Sequence, residues 1–222
     1  MGQTILTPHQ SAVVECVQND QSITRWYYLT GGTALTAFHL HHRLSEDLDF
    51  FTESDVFVSQ LRTFFANNLK RLSINDVKEQ EHPGMVFFYL TFMDGTTLKV
   101  DFVNFPYRPV EQGLLVKGLR IDSVFDIALN KLYTLSDRPR ARDYVDLYCI
   151  LTFEGISFDQ VYNRLNDKFH PFTFQDSIAL GVKLTRVLEA TEFPTMLVPF
   201  DRAAMIDFFF AEAKKLEGTI FK

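Results

Sequence analysis

The sequence predicts an α+β protein, with a mixed or antiparallel sheet and its helices in the first half and a helical bundle in the second. Three observations carry that reading. Residues 74–80, Met85–Phe92 and 97–103 are consecutive strand-like runs joined only by short turns, one of them the hairpin signal Asp94-Gly95. Turns that short forbid an all-parallel arrangement, because parallel neighbours need long crossovers. From Asp122 onward apolar residues recur only at helical spacing, broken around Pro139, Pro171, Pro194 and Pro199. The expected division is an α/β core over 1–112 and a helical bundle over 113–222, packed against that core.

The elements follow in order. Thr7-Pro8-His9-Gln10 supplies a capping residue, proline at the first helical position and glutamine three residues after the cap, so a helix begins there. Ala12, Val13, Cys16 and Val17 continue it at helical spacing. Residues 26–30 read as a short strand, 33–43 as a helix and Leu48–Thr52 as a second strand. A longer helix covers 56–72, with Val58, Leu61, Phe64, Phe65, Leu69 and Leu72 on one side. His82-Pro83-Gly84 and Met93-Asp94-Gly95-Thr96 turn the chain between the three strands that come next. Helices are then expected over 122–135, 142–153, 157–166, 173–189 and 202–216, the third opened by the capping box Ser157 to Gln160.

Composition limits the function classes. At 222 residues, 46% hydrophobic and with 23 Phe, the chain can bury a core as one large domain or two small ones. No apolar run approaches the ~20 residues that span a bilayer. Met1-Gly2-Gln3-Thr4 leads into the capping signal without a basic-then-apolar secretory segment, and Cys16 and Cys149 lie far apart on helical stretches. A reduced cytoplasmic protein is expected. The net charge of −6 argues against broad non-specific nucleic-acid binding but leaves room for a local basic patch. Arg138, Arg140 and Arg142 are the candidates, whereas Lys70-Arg71 and Lys214-Lys215 read as solvated helix faces.

Chemistry concentrates in Gly31-Gly32-Thr33-Ala34-Leu35 and Asp47-Leu48-Asp49-Phe50-Phe51. Glycine tolerates positive φ and lets a phosphate approach the backbone, and a helix opening beside it aims free N–H groups at an anion. Side chains on a strand alternate, so Asp47 and Asp49 share one face. Paired carboxylates repel, and a divalent cation such as Mg²⁺, shared with substrate phosphates, is the usual reason to tolerate them. Thr97-Leu98-Lys99-Val100-Asp101-Phe102-Val103 offers a third aspartate embedded in apolar neighbours.

Gly-Gly-Thr, thirteen residues, then Asp-x-Asp flanked by apolar residues resembles the signature of the DNA polymerase β-type nucleotidyltransferases. The fuller string, Gly31 to Leu35 followed by His42-Arg43-x-Ser45-x-Asp47-Leu48-Asp49-Phe50-Phe51, is similar to the AbiEii/AbiGii group of bacterial toxin nucleotidyltransferases, which includes the MenT toxins. The resemblance covers roughly residues 29–150. It implies a polymerase β-like core, with Asp101 as third carboxylate and with Lys131 and Asp146 as the lysine and later aspartate carried on helices. Asp143 could do the work of Asp146. On that reading Asp47, Asp49 and Asp101 hold two Mg²⁺ ions, while Gly31, Gly32, Thr33, Arg43 and Lys131 meet the phosphates of an NTP. An NMP then passes to an acceptor hydroxyl, a tRNA 3′ end or else a protein side chain. The resemblance further implies a toxin restrained by a partner antitoxin.

Plainer roles stand beside these. Asp146 could pair with Arg142 four residues earlier, Lys131 could be a surface lysine, and Thr33 could be a helix N-cap. Arg43 and Ser45 could only shape the turn, and His39, His41 and His42 read as polar helix residues without zinc-site spacing. Two other function classes compete. A non-catalytic nucleotide-binding regulator would have a broken acidic triad, which this chain does not. An aspartyl-phosphate phosphatase carries Thr or Val two residues after its second aspartate, where this chain has Phe51. Neither that class nor a metal-dependent glycosyltransferase accounts for Gly31-Gly32. The last seventy or so residues carry no assigned motif.

Overall fold

A computed structural model describes residues 5–169 and 171–220; Met1-Gly2-Gln3-Thr4, read above as carrying no secretory leader, lie outside the described residues. The chain divides into two compact units. The first comprises Met1–His39, Ser45–Arg108 and Gln112–Ser123, and the second Leu40–Leu44, Pro109–Glu111 and Val124–Lys222.

The first unit is built on a seven-stranded mixed sheet. Its strands are β1 (Tyr28–Thr30), β2 (Leu48–Thr52), β3 (Ile74–His82), β4 (Met85–Phe92), β5 (Thr97–Asn104), β6 (Leu114–Val116) and β7 (Leu119–Ile121). They lie in the order β3-β4-β5-β2-β1-β7-β6. The β2/β5 and β1/β7 pairs are parallel, the others antiparallel. Its α-helices among the described residues are α1 (Pro8–Gln18), α2 (Gln21–Thr24), α3 (Gly31–Leu35) and α4 (Val58–Leu72). The cap of α1 is as the sequence requires: Thr7 Oγ1 accepts from the Gln10 backbone N–H at 3.2 Å, and the Gln10 side chain accepts from Thr7 N–H at 2.9 Å. α4 buries Leu61, Phe64, Phe65 and Leu72, and it ends where Ser73 adopts φ 56°.

Alternation sorts the sheet into two faces. Leu48, Phe50, Val86, Phe88, Leu90, Val100 and Phe102 are wholly or almost wholly buried on one of them. There the Phe50 and Phe102 rings stack at 5.2 Å, and Phe65 of α4 meets Phe88 at 4.7 Å. The opposite face carries Asp49, Phe51, Phe87, Tyr89, Lys99 and Asp101.

Two local expectations are corrected. The β6–β7 hairpin was read as neither strand nor sheet, yet it assigns residues 114–121 to the first unit, beyond the expected boundary at 112. Strands of three residues are too short for alternation to register. The turn between them, with Lys117 at φ 49° and Gly118 at φ 83°, lacks the usual Asn-Gly or Asp-Gly marker. The helix expected over 33–43 begins instead at Gly31, becomes π-helical over Thr36–Leu40 and stops, with His41 at φ 57°. Beyond it the chain is drawn into a strand-like pairing. Leu44 N–H donates to Thr195 O at 2.9 Å and Leu197 N–H to His42 O at 2.8 Å, around an Arg43–Met196 bridge. Tertiary pairing overrides helical continuation there.

The second unit is helical: α5 (Val124–Asp137), α6 (Ala141–Phe153), α7 (Phe158–Asn163), α8 (Leu165–Lys168), α9 (Phe174–Thr185) and α10 (Arg202–Ile220), with a 3₁₀ turn at Arg186–Glu189. Its apolar core includes Ile127, Leu129, Leu132, Val145, Leu147, Leu180, Leu184 and Phe209. A buried ion pair ties it together. Lys168 Nζ donates to Asp126 Oδ1 at 2.7 Å, and the same carboxylate accepts the N–H groups of Val110 and Glu111, each at 2.9 Å. Cutting one partner from a buried pair leaves an uncompensated charge. Lys168→Met is therefore expected to lower stability by about 3–5 kcal/mol, read as a reduced urea midpoint with an unchanged slope.

Candidate active site

Parallel pairing of β2 with β5 sets Asp49 directly beside Asp101. Neighbours in register share a face, so both carboxylates point to the same side of the sheet. Asp101 is mostly buried and its Oδ2 accepts from Lys99 Nζ, two residues earlier on the same strand. Asp47 lies two residues before Asp49, just outside the strand and partly exposed. Its backbone is fixed from two sides. Gln10 Nε2 donates to the carbonyls of Ser45 at 2.8 Å and Glu46 at 3.1 Å, and Thr33 Oγ1 donates to the carbonyl of Asp47.

The glycine turn is pressed against this carboxylate pair. Gly31 has φ +70°, where side chains are strained, and a Cβ there would come within 3.0 Å of Asp49 Cγ and closer still to its Oδ2. Thr30, the N-cap of α3, makes no side-chain cap; its hydroxyl donates instead to Asp122 Oδ2 at 2.7 Å. The first N–H groups of α3 are thus left uncapped by Thr30. Thr33 is not the N-cap, because helix α3 starts two residues earlier; its buried hydroxyl donates to the Asp47 carbonyl.

Asp122 was not singled out in the sequence. It follows β7 directly, donates its N–H to Leu29 O at 2.9 Å, and its carbonyl accepts from His39 Nε2 at 2.9 Å. Recognising it required the β6–β7 hairpin. Lys99 was legible in principle, since period-two alternation puts it on the face of Asp101.

Lys131, Asp143 and Asp146 come together within the second unit, around Arg43. Arg43 Nε and Nη2 donate to Asp146 Oδ1 at 2.6 Å and Oδ2 at 2.8 Å, while Nη1 donates to Leu44 O at 2.7 Å. His42 Nε2 donates to Asp146 Oδ1 at 2.9 Å. Lys131 Nζ lies 2.8 Å from Asp143 Oδ1 and 2.7 Å from Asp146 Oδ2. Arg43, expected against phosphate, is 2% exposed and forked onto a carboxylate instead. Asp146, expected among the reacting groups, is wholly buried behind these partners. The surface pairing of Asp146 with Arg142 gives way to this network, and both Asp143 and Asp146 hold Lys131. Burial alone would push the Asp146 carboxyl up, yet the Lys131 ammonium and the Arg43 guanidinium hold it well below the usual carboxylate range. Burial likewise works against charge on Lys131, but Asp146 and Asp143 raise its pKa. Arg138 and Arg140 are exposed at the α5–α6 turn.

Among the described residues, no three His, Cys, Asp or Glu side chains are gathered as a complete metal cage. The expected triad is a registered pair, Asp49 and Asp101, with Asp47 a third aspartate two residues upstream. That arrangement still suits Mg²⁺, which takes hard oxygen donors and is commonly held by one or two carboxylates with substrate phosphates completing its shell. The missing side chain at Gly31 keeps the ground beside Asp49 open for such a ligand. No helix among the described residues is long and apolar enough to cross a membrane.

Comparison with known proteins adds three findings. The sequence profile described as "Nucleotidyl transferase AbiEii toxin, Type IV TA system" matches residues 18–210. Two crystal structures of Helicobacter pylori proteins share the fold. One, assigned as a nucleotidyltransferase, is 18% identical, with TM-score 0.60 and 97% of each chain covered. The other, JHP933, is 21% identical, with TM-score 0.59, covering 96% of this chain and 91% of that one. No curated protein matches the chain.

Two outcomes follow from this geometry. Gly31→Ala forces a side chain into the left-handed region and against Asp49, so thermal denaturation is expected to show a loss of about 1–3 kcal/mol. Asp146→Asn removes a carboxylate that is favoured in its charged form when folded. Because its pKa is depressed, its contribution is fully present above the unfolded value of about 3.9 and is lost as pH falls through the lower folded value. The stability gap between wild type and Asp146→Asn is therefore expected to stay level above about pH 5 and to narrow in strong acid, as urea titrations across pH would register.

Proposed function

Because the chain belongs to the AbiEii nucleotidyltransferase toxin family of type IV toxin–antitoxin systems, we propose that it moves an NMP from an NTP onto the hydroxyl at a tRNA 3′ end, releasing pyrophosphate. The observation that carries this reading is the pairing of Asp49 with Asp101 on parallel strands, with Gly31 against Asp49. On this reading Asp47, Asp49 and Asp101 would hold two Mg²⁺ ions, which would supply Lewis-acid stabilisation of the triphosphate and lower the pKa of the acceptor hydroxyl. The protein works as a cytoplasmic toxin whose partner is an antitoxin.

The chain's own residues do the positioning. Gly31 and Gly32 let the phosphate tail approach the backbone, at the N-terminal end of α3, which the Thr30 side chain does not cap. Thr33, by clamping the Asp47 carbonyl, fixes the distance between the glycine turn and the acidic strand. The acceptor oxygen attacks the α-phosphorus; the bond from that phosphorus to the bridging oxygen of the β-phosphate breaks, and pyrophosphate departs with the electron pair. Asp101 takes the acceptor's proton. Lys99, already on that carboxylate, offsets charge at the same place. In the second unit Asp146, Arg43 and His42 brace the segment 42–44 and hold Lys131 charged.

The test is to incubate the protein with total RNA, cell extract and each α-labelled NTP in turn, and to see which polymer takes label. Label in small RNA is the expected result, and label confined to protein would replace the acceptor. In the same assay Asp49→Asn is expected to cut transfer by about 10³-fold, since a metal centre contributes several kcal/mol of charge stabilisation. Its thermal midpoint should hold or rise, because one of two repelling carboxylates is gone. Full activity in that variant would end the metal-centred account.

A further inference from the structure

Beside the carboxylates, the same face of the sheet continues across β4 and β3 as a surface of rings and cations. Phe87 stands directly opposite Asp101, and Tyr89 directly opposite Lys99. One strand further out, Gln80 faces Phe87 and Lys78 faces Tyr89. Every second residue of β4 is fully buried, but Met85, Phe87, Tyr89 and Thr91 are only partly so. Lys99 Nζ lies 4.3 Å from the centroid of the Phe87 ring while also reaching Asp101, so one ammonium spans a ring and a carboxylate of the site. His82 tilts against Phe87 at 5.5 Å, and the Tyr89 hydroxyl donates to Gln80 Oε1 at 3.1 Å, which fixes the orientation of that ring. Lys78 is exposed at the outer edge. Asp76, opposite Thr91, is the one acidic side chain that β3 adds to this face.

A core function does not account for this pattern. Partly exposed aromatic rings on a sheet, interleaved with ammonium groups and leading up to reactive carboxylates, match the two chemistries of a single-stranded nucleic acid, flat bases and a phosphate backbone. A folded protein acceptor would present neither along a strip of this kind. We propose that the strip formed by Phe87, Tyr89, Lys99 and Lys78 holds the single-stranded 3′ end of the RNA acceptor, its last bases stacked on the two rings and its phosphates against the two lysines. This rests on the transferase reading and adds to it where the acceptor docks. It also reconciles a chain of net charge −6 with an RNA acceptor, because the contact is local and partly by stacking.

The test separates docking from chemistry. Fluorescence anisotropy of a labelled single-stranded RNA with a free 3′ hydroxyl is measured on the Asp49→Asn protein without NTP, and Mg·NTP binding to wild type is measured separately by calorimetry. The expected result is that Phe87→Leu or Tyr89→Leu, added to Asp49→Asn, weakens RNA binding about tenfold or more, while the same single changes in the wild-type protein leave Mg·NTP binding unchanged. Adding Lys78→Ala should lower the slope of log affinity against log salt by about 0.7. Equal RNA affinity in the ring variants, displacement of the RNA by a protein acceptor, or RNA binding absent while Mg·NTP binds normally would each overturn the docking proposal and leave the transferase reading standing. Failure of Mg·NTP to bind while the ring variants still lose RNA would overturn the transferase reading instead.

Discussion

Parallel pairing between β2 and β5 is the constraint on which the first unit's chemistry depends. A shift of either strand by one residue would turn one aspartate to the buried face. In register, two carboxylates rise from adjacent positions on neighbouring strands, where like charges repel. The fold accepts that cost and places its remedies nearby. Lys99 sits on Asp101, and Gly31 gives Asp49 a neighbour without a side chain. The strands keep their register because Phe50 and Phe102, one residue along each, stack on the opposite face in the core. Packing on one side of the sheet thus enforces repulsion on the other.

The second unit solves a different electrostatic problem. Arg43 and Lys131 bring two positive charges into a buried space, and Asp143 and Asp146 bring two negative ones. With charge balanced and each donor aimed at an oxygen, the network can persist where any member alone would be costly. Its worth lies in specifying where the segment 42–44 runs, since that segment also forms backbone bonds to residues 195 and 197. Lys131 and Asp146, the lysine and later aspartate that the sequence offered, are joined in that network.

Much of the first unit was legible in the sequence because its signals are local. The α1 capping box, the alternation of β4 and the Asp-Gly turn each specify their element within a few residues. The glycine turn and Asp-x-Asp were equally plain, and period two placed Asp49 and Asp101 on one face once β2 and β5 were neighbours. What stayed hidden depends on contacts distant in sequence. The early end of the helix at Leu40 is decided by pairing with residues near 196, and the roles of Arg43 and Thr33 by partners that no spacing rule names. Asp122 was invisible because three-residue strands carry too few positions to show a period. Lys99 and Phe87 were legible by alternation alone, yet they gain meaning only beside Asp101.

The most direct test of the central claim is the anomalous scattering of Mn²⁺ in crystals of the protein soaked with that ion and a non-hydrolysable NTP. The account predicts metal density against the carboxylates of Asp49 and Asp101, with the triphosphate beside Gly31. An ordered nucleotide whose metal sits away from both aspartates would contradict it.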